Sequence, residues 1–329
     1  MGLIEAIGRP GMKSLRGLLP ATVLFWLIWP AGAPAEVVRS DHGEIAVGLA
    51  RPIHTWQDDA REPKAVVLAL HGATLHGRSF DRLGRLLAAQ GFLVVAPDLR
   101  GFGRWCHDES IPVGERTMHF TKTEGDLAET LGWIRARYPD KRLFCVGESL
   151  GSNWALVLAA KYPDKTDGLI LSSPSVKRRS IINPRALYDL VLGLTRINQR
   201  RDISLYIERC ISEDGRVVEE RLRDPLARNA MSVVELIKIG RFMSAATRYA
   251  ARVPEKAPVL IIQGTEDRIV DPDSVRALTK VLKSDDVSVC WRERRGHIAL
   301  QTDFIQDDVL NRVERWLDEH VSGIKRAQR

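Results

Sequence analysis

With 329 residues, 44% of them hydrophobic and 28% charged, the chain is long enough for one large α/β domain, or one such domain carrying an insertion, and too apolar to be disordered. The formal charge of +7 attracts acidic surfaces or anionic ligands, but no recognisable module stands behind it, so no nucleic-acid partner is expected. The cysteines Cys106, Cys145, Cys210 and Cys290 lack metal-ligand spacing. Neither a metal nor an organic cofactor is expected.

The first 35 residues differ from the rest. Arg9, Lys13 and Arg16 precede the apolar run Leu18 to Trp29, which ends in Pro30 and the small-residue string Ala31 to Ala35. This is the pattern of a secretory signal peptide cleaved near Ala35, and it predicts export. The run is shorter than the about 20 residues of a membrane span; an uncleaved N-terminal anchor is the alternative. Met12 followed by Lys13 is a second candidate start.

From Glu36 on, strand-length apolar runs alternate with helix-length periodic segments, which predicts a mostly parallel, doubly wound sheet of about eight strands. Glu44 to Ala50 reads as an antiparallel edge hairpin. Ala65 to Leu70, Phe92 to Ala96, Leu143 to Val146, Leu169 to Leu171, Val259 to Ile262 and Val287 to Trp291 read as buried strands. Helices are expected over Ser79 to Gln90, Thr121 to Tyr138, Ser149 to Lys161, Pro272 to Leu282 and Asp307 to His320. Cys145 and Cys290 fall inside apolar runs as core residues, whereas Cys106 and Cys210 fall where an exported protein could pair them.

The stretch 175–254 breaks the rhythm. It is helix-like with no convincing strand, and it reads as a lid inserted between two halves of a core, 36–174 and 255–329. Lys and Arg there number 16 against 9 Asp and Glu, while the chain from Glu36 has 46 against 41. The net positive charge after the leader therefore lies on the insertion. Leu187, Leu190, Val191 and Leu194 recur at helical spacing and form one apolar face suited to lining an acyl pocket. Lys177, Arg178, Arg179, Arg200 and Arg201 suggest contact with an anionic membrane surface; a merely solvated face is the plainer reading.

Chemistry concentrates in four segments. Gly147-Glu148-Ser149-Leu150-Gly151 lies between a predicted strand and a predicted helix, the setting in which a serine hydroxyl projects from a tight turn as a nucleophile. His71-Gly72-Ala73 follows a strand. The backbone N–H groups of Ala73 and Leu150 are the expected oxyanion donors, with His71 bracing the loop. Asp267, in Gly264-Thr265-Glu266-Asp267, and His297, in Arg295-Gly296-His297, each follow a strand, in the order serine, acid, histidine. Glu266 and Asp271 are competing acids.

On these residues, together with His76, Asp98 to Gly103 and Asp224-Pro225-Leu226, the chain resembles the monoglyceride lipase and lysophospholipase group of α/β-hydrolases. The resemblance runs from about Ala65 to Leu317 and implies catalytic roles for Ser149, Asp267 and His297. Departures occur at Ser152, at Arg104-Trp105 and at Thr74, and they touch pocket shape more than the triad. The expected function is hydrolysis of a carboxylic ester through an acyl-enzyme, with a monoacylglycerol or lysophospholipid as the small-molecule or lipid substrate. Thioester or amide cleavage uses the same machinery, and a non-catalytic binding module on this scaffold is the third reading.

Overall fold

A computed structural model describes residues 37–177, 179 and 197–322. The N-terminal segment read as a signal, the expected pocket residues Leu187, Leu190, Val191 and Leu194, and Arg178 lie outside the described residues.

Eight strands form the central sheet: β1 (Val37–Ser40), β2 (Ile53–Asp58), β3 (Ala65–Leu70), β4 (Phe92–Pro97), β5 (Arg142–Glu148) and β6 (Gly168–Ser172), followed after the insertion by β9 (Val259–Gly264) and β10 (Val287–Arg292). Their order is β1-β2-β4-β3-β5-β6-β9-β10. β1 and β2 are antiparallel, β2 meets β4 antiparallel, and all other pairs are parallel. Strands covered on both faces need apolar side chains at every position. The buried runs Ala65–Leu70 of β3, Phe92–Pro97 of β4 and residues 259–262 of β9 meet that demand without alternation.

Helices α1 (Glu44–Leu49), α2 (Asp81–Ala89), α3 (Arg104–His107), α4 (Phe120–Arg137) and α5 (Leu150–Lys161) precede the insertion, and α10 (Pro272–Val281) and α11 (Asp307–Val321) follow it. Two apolar clusters fill the two sides of the sheet. One joins Leu127, Leu131 and Leu156 to Leu68 and Val95; the other joins Leu83, Leu87, Val313 and Trp316 to Val67 and Val94.

One expected element is corrected. Glu44 to Ala50 is not an edge hairpin but helix α1, closed by Ala50 at φ 51°. Ile45, Val47 and Leu49 alternate as a strand would, yet Val47 is 69% exposed while Ile45 and Ala46 are buried. The buried face is therefore that of a helix. The antiparallel edge is instead made by β1 on β2.

Between β6 and β9 the described chain forms α6 (Ser204–Cys210), α7 (Gly215–Arg223), α8 (Val233–Ser244) and α9 (Ala246–Ala250). It also forms a two-residue ladder of β7 (Arg201–Asp202) with β8 (Ala230–Met231). The sequence reading found no strand here, because two residues carry no periodicity. No disulfide joins Cys106 to Cys210. Among the described residues no helix is long and apolar enough to cross a membrane.

Candidate active site

The loops after β3, β5, β9 and β10 gather at the carboxyl ends of the parallel strands. Ser149 stands between β5 and α5 at φ 56° and ψ −118°. That left-handed conformation costs a non-glycine residue about 1–3 kcal/mol and clusters at functional positions. It is held by the Ser149 N–H donating to Ser172 O at 2.8 Å. The glycines on either side are required by contact: a Cβ on Gly151 would lie 1.8 Å from Leu70 O, and one on Gly147 2.4 Å from Gly151 C. Ser152 fits because its buried hydroxyl shares its one proton between Gly147 O (2.8 Å) and Ser172 O (2.9 Å).

Asp267 and His297 meet directly, with His297 Nδ1 2.7 Å from Asp267 Oδ2. The other carboxylate oxygen accepts the N–H groups of Ile269 (2.8 Å) and Val270 (2.9 Å). Gln263 Nε2 donates to Oδ2 at 3.1 Å. Burial raises the Asp267 pKa, but the charge and hydrogen bond of His297 and these N–H groups outweigh it and hold the carboxyl below its usual range. Burial lowers the His297 pKa, and the charge and hydrogen bond of Asp267, with the charge of Glu148, hold it above that of a free imidazole. The loops approach closely because residue 264 has no side chain: a Cβ there would lie 2.2 Å from both Arg295 O and Gly296 O. The competing acids are elsewhere. Glu266 is exposed, and Asp271 caps α10 through its bond from Asp273 N–H.

The Ser149 hydroxyl lies 3.2 Å from that of Ser175, and it makes no hydrogen bond to His297 in this structure. Ser175 is buried, and its carbonyl accepts from Asn153 Nδ2 at 2.8 Å. Sequence reasoning missed Ser175, since a serine following a Ser-Pro pair carries no pattern of its own.

The loop after β3 lies against Ser149. A Cβ on Gly72 would be 3.3 Å from Ser149 Cβ and from Glu148 O, which brings the backbone leading into Ala73 alongside the elbow. His71 braces this loop: its Nδ1–H donates to Gly72 O (2.8 Å), and its Nε2 accepts the Leu99 N–H (2.9 Å). Acceptance at Nε2 demands the neutral ring, and burial drives its pKa down to about 4. Asp98 secures the next turn by accepting the N–H groups of Gly77 and Arg104 at 2.7 Å. Burial opposes its ionisation, but the hydrogen bond and charge of His54 win, and its pKa falls to about 2. Trp105 donates its indole N–H to Asp98 O at 2.9 Å. Thr74 stands at φ 74°, a strained conformation for a β-branched residue.

Buried polar bonds tie these loops together and to the insertion. Glu148, fully buried, accepts the N–H groups of Ala299 (2.8 Å), Leu300 (3.0 Å) and Gln301 (3.0 Å) and the Ser172 hydroxyl (2.7 Å). Gln301 Oε1 in turn accepts the Gly72 N–H at 2.8 Å. From the insertion, Glu213 accepts the Gly296 N–H at 2.6 Å, Asp224 meets His76 Nε2 at 2.6 Å, and the Arg228 N–H donates to Thr74 O at 2.8 Å. The described part of the insertion is thus fastened to the loops that carry His297 and Gly72. Among the described residues no group of His, Cys, Asp and Glu is arranged to hold a metal ion.

A serine on a strained strand-to-helix turn, with an Asp–His pair on the loops after two later parallel strands, defines the class: an α/β-hydrolase. The chain belongs to the Hydrolase_4 family, described as "Serine aminopeptidase, S33", whose model it matches over residues 61–302. It is similar to the monoacylglycerol lipase of Mycolicibacterium smegmatis, 26% identical over 86% of this chain and 98% of that one. It is also similar to phospholipase YtpA of Bacillus subtilis, 30% identical over 67% of this chain and 82% of that one. In fold it matches the solved structure of a soluble variant of monoglyceride lipase from Saccharomyces cerevisiae with a TM-score of 0.65, at 20% identity over 88% of this chain and 97% of that one.

Proposed function

We propose that the protein hydrolyses lipid-like carboxylic esters, of the monoacylglycerol or lysophospholipid kind, through an acyl-enzyme on Ser149. The observation that carries this reading is the buried Asp267–His297 hydrogen bond, together with Ser149 held at positive φ between β5 and α5. The Ser149 hydroxyl turns from Ser175 toward His297. Its oxygen attacks the ester carbonyl carbon while its proton passes to His297, and Asp267 fixes the imidazole tautomer and stabilises the imidazolium. The carbonyl π electrons move onto the oxygen, which the N–H groups of Ala73 and Leu150 receive. Each such donor contributes about 3 kcal/mol. Collapse of the intermediate breaks the bond to the alcohol, which leaves with the proton from His297. Water then repeats the sequence and releases the acid and Ser149.

The lipid preference rests on the relatives, named as acting on monoacylglycerols or as a phospholipase. It also rests on an apolar cluster of Leu75, Ile207, Ile211, Val217 and Ile298, where the insertion meets the loops that carry Gly72 and His297. In this reading 175–254 is a lid, its basic surplus drawing the enzyme to anionic membranes, and residues 1–35 are an export signal that N-terminal sequencing of the mature protein would show removed. The family description favours a second reading, amide cleavage by the same triad.

Purified protein is tested with monoacylglycerols, lysophospholipids, a thioester and an aminoacyl amide, alongside a fluorophosphonate probe. The expected result is ester turnover with labelling at Ser149 alone, both lost in Ser149→Ala while the fold is kept. Labelling at another serine, or wild-type turnover in Ser149→Ala, refutes the mechanism. Turnover of the amide in preference to every ester refutes the substrate class.

A further inference from the structure

We propose that Glu148, the residue before the nucleophile, is a positioning residue that fixes the His297 loop to the elbow and presents a second carboxylate, besides Asp267, to the imidazole. The inference rests on the triad reading above and deepens it.

The geometry is specific. One fully buried carboxylate is the acceptor in four hydrogen bonds, three of them from consecutive backbone N–H groups beginning two residues after His297. Acceptor-only bonding on every contact is the role of a carboxylate and not of an amide or a carboxylic acid. Since Glu148 and Ser149 are neighbours, this bonding ties the nucleophile to the loop of its base across 151 to 153 residues of sequence. Gln301, held by the same carboxylate, extends the restraint to Gly72 in the oxyanion loop. Catalysis tolerates little error in such distances: a misplacement of about 1 Å costs on the order of 100-fold.

The charge has its own consequence. His297 faces Asp267 at Nδ1 and feels Glu148 as well, and both favour the protonated ring. Glu213, bonded to Gly296 N–H, and Arg295, paired with Glu213, flank the preceding residue, and Arg292 feels both Glu148 and Glu213. Removing the Glu148 charge leaves Asp267 as the carboxylate hydrogen-bonded to the ring. The basicity of His297 then falls, and the acid limb of kcat/KM, which reports the free-enzyme base, moves to lower pH. A residue serving only to stabilise the fold would not move that limb.

The test compares wild type, Glu148→Gln and Glu148→Asp on a nitrophenyl ester from pH 4 to 9, with a separate aliquot of each labelled with fluorophosphonate and the unlabelled protein checked for folding by circular dichroism. Glu148→Gln keeps an acceptor oxygen toward Ala299, Leu300 and Ser172 but turns an amide N–H toward that of Gln301. It is expected to lower kcat at least tenfold and to shift the acid limb down by about half a pH unit or more. Glu148→Asp keeps the charge but withdraws it from its donors, so kcat should fall with the limb unmoved. An unshifted limb in folded Glu148→Gln, or a wild-type kcat in Glu148→Asp, overturns the proposal. If Glu148→Gln does not fold, the Glu148→Asp result alone decides the positioning role. Failure of wild type to label at Ser149 strikes instead at the triad.

Discussion

Ser149 and Ser175 face each other with their hydroxyl oxygens 3.2 Å apart. In the proposed mechanism the Ser149 hydroxyl has to leave this bond to reach His297. A neutral hydrogen bond contributes about 0.5–1.5 kcal/mol net, so Ser175→Ala should accelerate fluorophosphonate labelling of Ser149 by about two- to tenfold. Stopped-time labelling at one pH measures this. A slower rate would mean that Ser175 assists the reaction and does not restrain the hydroxyl.

Asp267→Asn should lower kcat by a factor on the order of 10³ to 10⁴, because an amide facing Nδ1 favours the wrong His297 tautomer. Asp271→Asn should leave both activity and stability close to wild type, since asparagine caps a helix as well as aspartate does. Glu266→Gln, on an exposed side chain, should also be silent. Steady-state kinetics of the three variants assigns the acid, and a large loss in Asp271→Asn would move it by four positions.

His71 makes the fold acid-sensitive. Its folded-state pKa of about 4 lies below the ordinary 6.5, so its stabilising contribution is complete above about pH 6.5 and is lost as the pH falls toward 4. The loss amounts to about 3 kcal/mol. Asp98, depressed from 3.8 to about 2, adds a second loss below that window. His71→Leu should abolish the first loss, yet destabilise the protein at pH 8 by about 1–3 kcal/mol because the Leu99 N–H is left without its acceptor. Urea unfolding of both proteins between pH 4 and 8 checks the two parts separately.

The basic surplus of 175–254 should appear as membrane binding. Sedimentation with anionic vesicles should exceed that with neutral ones and fall as salt rises, at about 1 kcal/mol per engaged cation. Lys177 and Arg179 are exposed beside the acid loop, where Arg179 N–H donates to Ile269 O and Asp271 N–H to Lys177 O. Charge reversal at both should weaken the binding. Equal sedimentation with both vesicle types at every salt concentration would leave these cations merely solvated.

Much of the molecule was legible in the residues alone. Parallel strands buried on both faces are mostly apolar, so the central parts of β3, β4, β5, β6 and β9 stood out as short continuous runs. Ser149, Asp267 and His297 stood out as candidates because each follows a strand-length run at a turn, in one chain order. α1 was misread because Ile45, Val47 and Leu49 fit period two by coincidence, and only burial distinguishes a helix of six residues from a strand. What tertiary structure decided was the wiring between loops. Nothing near Glu148 in sequence announces bonds to residues 299–301, nothing near Glu213 announces Gly296, and Ser175 carries no motif. Such contacts join positions tens to more than a hundred residues apart through single polar atoms. Local periodicity cannot encode them, and they exist only once the sheet has brought the loop ends together.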